Sequence, residues 1–366
     1  MYSNEAFIGQ HIGEPQDLSH VALISHRATN GADGEFSAEL LNHALFPGNE
    51  AEGPMSVHDF AELTCWLERP GETLVNTFGG DGTVRGVSRR ILGIVPDDPE
   101  ATAANLDAYR AIAHRTLLFA GAGGNANNFP LSTNGNASRD PSFVIPDELD
   151  FADCHPLYYK VVDEHGSHRL SDIAVTGLGL GATANAAAKL EFDRETLRPM
   201  HPTSRLVVEA AASVSETLAA AAFDVLVSFS RGENMSMFAS PNLAMLEFIG
   251  SKIYAKRGRS NVNVDDAFWQ PVVLHAGRNK LDRAFNAGVV MTRLNFGKHV
   301  LRPIDMQGMT MGICNGGETA IPFHADGELS KEQVLLPAET LVIRRTELGV
   351  RTLIHAALTG KSSLAG

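Results

Sequence analysis

Residues 72–78 (ETLVNTF) run directly into Gly79-Gly80-Asp81-Gly82-Thr83, and this junction decides how the chain is read. The first seven residues are rich in apolar and β-branched types and read as a strand, while the apolar spacing over residues 84–94 reads as a helix. A strand that ends in glycines and reopens as a helix brings backbone N–H groups and the positive end of the helix dipole to one point. An anionic phosphate is met there. The glycines let the backbone approach phosphate oxygens without a Cβ clash, Asp81 can act on a metal ion or a nucleotide hydroxyl, and Thr83 adds a hydroxyl donor. A simple turn needs one glycine, not three around an acid.

Working outward, residues 20–25 (HVALIS) read as an earlier buried strand, and residues 36–46 and 57–67 carry helical apolar spacing. Downstream, Pro96 and Pro99 close the 84–94 helix, residues 101–114 read as a further helix, and residues 116–120 (TLLFA) as a third strand. That strand enters a second loop of small residues, Gly123-Gly124-Asn125-Ala126-Asn127-Asn128-Phe129. In open α/β sheets ligands bind beyond the carboxyl ends of strands, so both loops are expected to line one site.

From about residue 151 the texture becomes β-rich, with strand-like runs at 157–162, 168–176, 223–229, 272–275, 309–314, 319–324 and 341–344. Helices are expected at 204–222 and 243–256. The fold class is therefore α/β: an open α/β nucleotide-binding domain over residues 1–150 and a β-rich, sandwich-like substrate domain over 151–345, with a tail, about 346–366, that can return to the first.

Charge and composition exclude several functions. The chain has 366 residues, 44% hydrophobic and 20% charged, as expected of a globular protein. Its 30 basic against 43 acidic side chains leave a net charge of −13, which repels nucleic-acid backbones. No apolar run reaches the length of a bilayer span, and residues 1–20 lack the basic start and apolar core of a secretory signal, so the expected location is cytoplasmic. The densest basic cluster, residues 252–259 (KIYAKRGR), reads as a solvated helix end or a local membrane contact. Cys65, Cys154 and Cys314 are widely spaced and read as reduced thiols, and the 14 histidines include no H-E-x-x-H. His165 and His168 fall in a polar segment, DEHGSH, that reads as a hairpin turn, so no transition-metal site is assigned.

Gly79 to Thr83 after a strand resembles the nucleotide loop of the diacylglycerol kinase catalytic-domain family, which includes bacterial lipid kinases and sphingosine and ceramide kinases. NAD kinases share that loop. Two later segments favour the lipid kinases: Gly123 to Phe129 lies where that family has Gly-Thr-x-Asn-Asp-Phe, and His324-Ala325-Asp326-Gly327-Glu328 resembles its late Asp-Gly-Glu motif. Gly177-Leu178-Gly179-Leu180-Gly181 is similar to its glycine-containing strand end. The resemblance implies an ATP- and Mg²⁺-dependent kinase acting on diacylglycerol or a related lipid alcohol. Gly79, Gly80, Asp81, Gly82 and Thr83 would bind phosphates and Mg²⁺, with Asp81 the metal contact. Gly124, Asn125, Asn127 and Asn128 would help hold the nucleotide, and Glu328 with Asp326 would serve the acceptor hydroxyl. The chemistry agrees, because phosphoryl transfer needs a phosphate cradle, a divalent ion and a carboxylate to take the hydroxyl proton. Glu328, with its longer side chain, is the expected base. Asp81, flanked by glycines, is expected to have little to pack against.

The chain departs from the pattern at Asn125 and Asn128, which stand where the family has Thr and Asp, and at residues 20–31, which lack its Asn-Pro with following Ser-Gly. These departures motivate an alternative: a non-catalytic lipid- or nucleotide-binding protein of the same fold. A second alternative is a dinucleotide-dependent enzyme, because Gly179-x-Gly181-x-x-Ala184 imitates a dinucleotide fingerprint with Glu195 near the ribose-binding offset. The implied partners are a lipid alcohol and a transient contact with the inner face of the membrane. Homodimerisation is left open.

Overall fold

The computed structural model describes residues 20–25, 52–56, 60–68, 70–71, 73–122, 128–135, 149–192, 202–250, 268–295, 301–302, 304–327 and 332–355. The chain divides into two compact units. One comprises residues 1–156, 258–266 and 346–366, and the other residues 157–257 and 267–345.

The first unit is built on a six-stranded sheet. Its strands are β1 (His20–Ser25), β2 (Glu52–Ser56), β3 (Thr73–Gly79), β4 (Thr116–Ala122), β5 (Leu149–Cys154) and β17 (Val350–His355), in the order β2-β1-β3-β4-β17-β5. β2, β1, β3, β4 and β17 run parallel, and β5 pairs antiparallel with β17 at the edge. Thr73 to Thr77 are all buried, and so are Thr116 to Ala120. Strands covered on both faces read as continuous apolar runs, which is why these two were legible.

Helices α1 (Phe60–Leu67), α2 (Asp81–Leu92), α3 (Pro99–Arg115) and α4 (Asn128–Asn134) belong to this unit. α2 buries Val84, Val87 and Ile91 and ends at Gly93, whose φ of +66° supplies the left-handed cap. α3 begins with Pro99 behind Asp98, whose carboxylate accepts the Ala101 N–H at 2.8 Å. The expected helix at 36–46 lies outside the described residues.

The second unit holds an eleven-stranded sheet in which every pairing is antiparallel. Its strands are β6 (Leu157–Val162), β7 (His168–Ala174), β8 (Gly177–Gly181), β9 (Phe223–Arg231), β10 (Asn234–Gly250), β11 (Phe268–His275), β12 (Ile304–Asp305), β13 (Thr310–Asn315), β14 (Ile321–Ala325), β15 (Val334–Leu335) and β16 (Thr340–Arg345). Tyr159, Phe323, Met311, Ile313, Leu341 and Ile343 form part of its core, with Tyr159 edge-on to Phe323 at 5.9 Å. Helices α5 (Ala182–Phe192), α6 (Pro202–Ala219) and α7 (Lys280–Asn295) accompany it.

Two expectations change and one is met. Residues 243–250, expected as the start of a helix, are the second half of β10, and residues 251–256 lie outside the described residues. β10 shifts register between Ser240 and Leu243, where Asn242 takes a φ of +57° and donates its N–H to Asp224 Oδ1 at 2.7 Å. Residues 177–181 are a strand antiparallel to both β10 and β14, so residues 179–184 are not the turn of a parallel βαβ unit and the dinucleotide fingerprint is without its structural context. Of the expected turn at residues 163–168, residues 163–167 form the β6–β7 turn and His168 opens β7; within it Asp163 Oδ1 accepts the N–H groups of His165 and Ser167.

Candidate functional site

β3 runs through Gly79 and α2 begins at Asp81, so the expected five-residue loop is a junction of one residue, Gly80. Asp81, Gly82 and Thr83 form the first turn of the helix. Gly80 is its N-cap and provides no side chain, so the first-turn N–H groups have no side-chain cap. A Cβ on Gly79 would lie 2.2 Å from Thr83 Oγ1, so only glycine lets the buried Thr83 fold back onto the strand end. An uncapped helix start directly behind a parallel strand can receive an anion.

Asp81 is 3% exposed and has specific partners. Its Oδ2 accepts the Asn128 N–H at 3.1 Å and its Oδ1 accepts the Phe129 N–H at 2.7 Å. The expectation that it packs against little is therefore wrong. Gly79 is in register with Ala122 on the neighbouring parallel strand β4, so the two glycine-containing segments leave the same end of the sheet. Asp81 ties one to the start of α4, which is what a carboxylate does best at a helix N-terminus. Gly124, Asn125 and Asn127 lie outside the described residues. Asn128 is exposed and contributes its main-chain N–H to this tether.

In the second unit, the turn after β14 is the other candidate segment. Asp326 and Gly327 both have left-handed φ, +56° and +76°. The Asp326 carboxylate is 8% exposed and accepts four donors: the N–H groups of Val175, Thr176 and Gly177 at 2.7 to 3.1 Å and the Thr176 hydroxyl at 2.8 Å. Its own N–H donates to Gly177 O at 2.8 Å. The turn is thus locked to the start of β8 before Glu328, which lies outside the described residues.

Two residues that the sequence did not single out support the same turn. His324, 6% exposed, accepts the Gly327 N–H on Nδ1 at 3.1 Å, which leaves the neutral ring's proton on Nε2. Its Nε2 lies 3.9 Å from Glu247 Oε1 on β10. The two side chains meet across Gly179 of β8, which pairs with both of their residues. A Cβ on Gly179 would sit 2.6 Å from His324 Nε2 and 2.5 Å from Thr183 Oγ1, which explains a glycine there. Burial pushes the Glu247 carboxyl up from 4.5 to about 7. His324 stood inside a quoted motif without a role, and Glu247 was hidden in the segment read as a helix.

Among the described residues no cluster of three His, Cys, Asp or Glu side chains could hold a metal ion, and no helix is long and apolar enough to cross a membrane. Both oxygens of Asp81 accept backbone N–H groups, so the carboxylate tethers the start of α4 to the start of α2.

No family model matches the chain, and no curated protein matches it. Solved structures do. A diacylglycerol kinase from Bacillus anthracis strain Sterne aligns with a TM-score of 0.52 and 14% identity, over 93% of this chain and 98% of that one. A second structure from the same strain, described only provisionally as a diacylglycerol kinase, aligns at 0.51 and 13% over the same shares. The class defined here is a two-unit α/β fold, a mostly parallel sheet followed by a large antiparallel one. This chain has the fold of those diacylglycerol kinase structures.

Proposed function

We propose that this chain is an ATP-dependent phosphotransferase that phosphorylates the hydroxyl of diacylglycerol or a related lipid alcohol. The observation that carries this reading is the junction at Gly80: an uncapped helix start behind a parallel strand, with Asp81 fastening the start of α4 to it. The fold supports it. Gly80, Gly82 and Thr83 bind the nucleotide phosphates, and Gly124, Asn125, Asn127 and Asn128 complete the nucleotide side. In the transfer the acceptor oxygen bonds to the γ-phosphorus, the bond to the β–γ bridging oxygen breaks, ADP leaves and Glu328 takes the hydroxyl proton. Asp326 and His324 hold the turn that precedes Glu328. Asp81 would be this chain's contact to Mg²⁺ carried by the nucleotide, which would supply charge neutralisation on the phosphates; among the described residues no cluster of three His, Cys, Asp or Glu side chains could hold a metal ion. The enzyme works in the cytoplasm and reaches its substrate at the inner face of the membrane.

Titration calorimetry with ATP tests the nucleotide half. Gly80 has φ −89° and ψ −172°, a conformation open to any residue, so Gly80→Val keeps the fold and places a branched side chain where phosphate must approach. ATP binding is lost in the variant while the parent binds. A parent that binds no ATP, or a variant that binds it equally well, removes the proposal. A second reading, a nucleotide-binding protein without transfer, draws on the exposed, neutral Asn128 at the tether. It is recognised by ATP binding without phosphorylation of any alcohol.

A further inference from the structure

Helix α7 is apolar on two sides. One side packs onto the unit: Val290 is buried with Ala287 against β11 residues, and Arg283 donates to the carbonyls of Ala276, Leu218 and Ala220 at 2.9, 3.1 and 2.5 Å. The other side carries Leu281, Phe285 and Val289, which are 79%, 72% and 45% exposed. At a spacing of four residues these three stand in one row, on the far side of the helix from Arg283, Ala287 and Val290. A surface helix normally covers that side with polar residues, so an exposed row of Leu, Phe and Val needs an occupant.

Charge identifies the occupant. From Arg278 to Arg293 the sequence carries four basic residues, Arg278, Lys280, Arg283 and Arg293, against one acid, Asp282. Asp282 is paired with Arg278 Nε at 3.0 Å, while Lys280 and Arg293 are exposed near the two ends of the row. Arg283 lies on the packed side and Arg278 is paired, so the cationic flank of the row consists of Lys280 and Arg293, on a chain of net charge −13. An apolar row with cations at its ends matches an interface of acyl chains beneath anionic headgroups. An open groove of about 570 Å³ runs beside Leu281 and Phe285, lined also by Asn242, Gly277, Asn286 and the paired Arg278 and Asp282, and gives the row polar neighbours.

We propose that the outer face of α7 is a membrane-docking surface that seats this chain on anionic bilayers, with Leu281, Phe285 and Val289 entering the interface and Lys280 and Arg293 contacting headgroups. The inference rests on the lipid-kinase reading for its purpose but not for its measurement, since vesicle binding needs neither ATP nor turnover.

The test is co-sedimentation of the full chain with vesicles of phosphatidylcholine containing one third phosphatidylglycerol, and with vesicles of phosphatidylcholine alone, at low and high salt. Three proteins are compared: parent, Leu281→Glu/Phe285→Glu, and Lys280→Glu/Arg293→Glu. All substituted side chains are exposed, so thermal midpoints are expected to match the parent. The parent binds anionic vesicles reversibly. Each double variant loses about tenfold or more in partitioning, and only the parent and the apolar variant show salt dependence. Phosphorylation of a soluble short-chain alcohol, if the parent supports it, is unchanged in the variants. Vesicle binding without phosphorylation of any alcohol leaves this proposal standing and removes the kinase reading. Equal vesicle binding by parent and variants overturns the proposal. So does absence of parent binding, and so does a parent that sediments as a dimer which the apolar variant dissociates, because the row is then an interface between copies of this chain.

Discussion

Replacing Asp326 by Ala measures how firmly the candidate acceptor turn is anchored. The substitution removes a buried carboxylate that accepts three backbone N–H groups and one hydroxyl. The Val175 amide belongs to a half-buried residue and can turn to water, but those of Thr176 and Gly177 belong to buried ones. Each hydrogen bond to a charged group contributes about 1.5–3 kcal/mol, and a buried donor left unmade costs a similar amount. Ala is also held at a φ of +56°, which adds about 1 kcal/mol. For the two buried amides and the backbone strain the sum is about 4–7 kcal/mol. At roughly 2–4 °C per kcal/mol for a domain of this class, the thermal midpoint of the second unit falls by about 10–25 °C. Asp326→Asn keeps one acceptor oxygen and tolerates the left-handed backbone, so it loses about half as much. Urea denaturation and calorimetry of the two variants check both values. An Asp326→Ala variant within about 1 kcal/mol of the parent would mean that the four contacts contribute almost nothing and that the turn is anchored elsewhere.

Asp81→Asn is expected to cost about 1–3 kcal/mol in the first unit, because a neutral amide can accept only one of the two α4 N–H groups; an unchanged denaturation midpoint would mean the tether is inert. Glu247, raised from 4.5 to about 7 by burial, binds its proton more tightly folded than unfolded. The stability it confers is present below about pH 4.5, is lost as pH rises toward 7 and does not return above it, an effect of about 3 kcal/mol at most. Glu247→Gln should therefore flatten stability between pH 5 and 8 and be the more stable protein at pH 8, as denaturation across that range reveals. His324→Asn keeps an acceptor near the Nδ1 position for the Gly327 N–H, whereas His324→Leu does not; the Asn variant should retain far more phosphotransfer than the Leu variant, with ATP affinity equal in both.

Strand β4 of the first unit was legible because burial on both faces makes residues 116–120 a short continuous apolar run between turn residues. The same physics misled at residues 243–250. There β10 is paired on both sides and Leu243, Ala244, Met245 and Leu246 are all buried, so no alternation survives, and Leu, Ala and Met then suggest a helix. α7 went unseen for the opposite reason: its apolar residues lie on two faces and blur the helical period. β5 and β2 also escaped, one interleaved with acids at 150 and 153 and the other interrupted by Pro54. In the site, the glycines at 79 and 80 announced the helix start, but the partners of Asp81 did not show. They are main-chain N–H groups 47 and 48 residues later, and a backbone donor leaves no mark in composition. Likewise Gly179 looked like part of a phosphate fingerprint, while its use is to let His324 and Glu247 meet across a strand.

Phosphoryl transfer to a lipid hydroxyl is measured directly by incubating the full chain with labelled ATP, Mg²⁺ and a panel of diacylglycerol, sphingoid bases, other lipid alcohols and soluble alcohols, and identifying the labelled product. A phosphorylated lipid alcohol is expected, with a fall of about 10²–10⁴ in its rate of formation with Glu328→Gln at nearly unchanged ATP affinity. ATP bound but no label on any alcohol, or a Glu328→Gln variant that turns over like the parent, would contradict it.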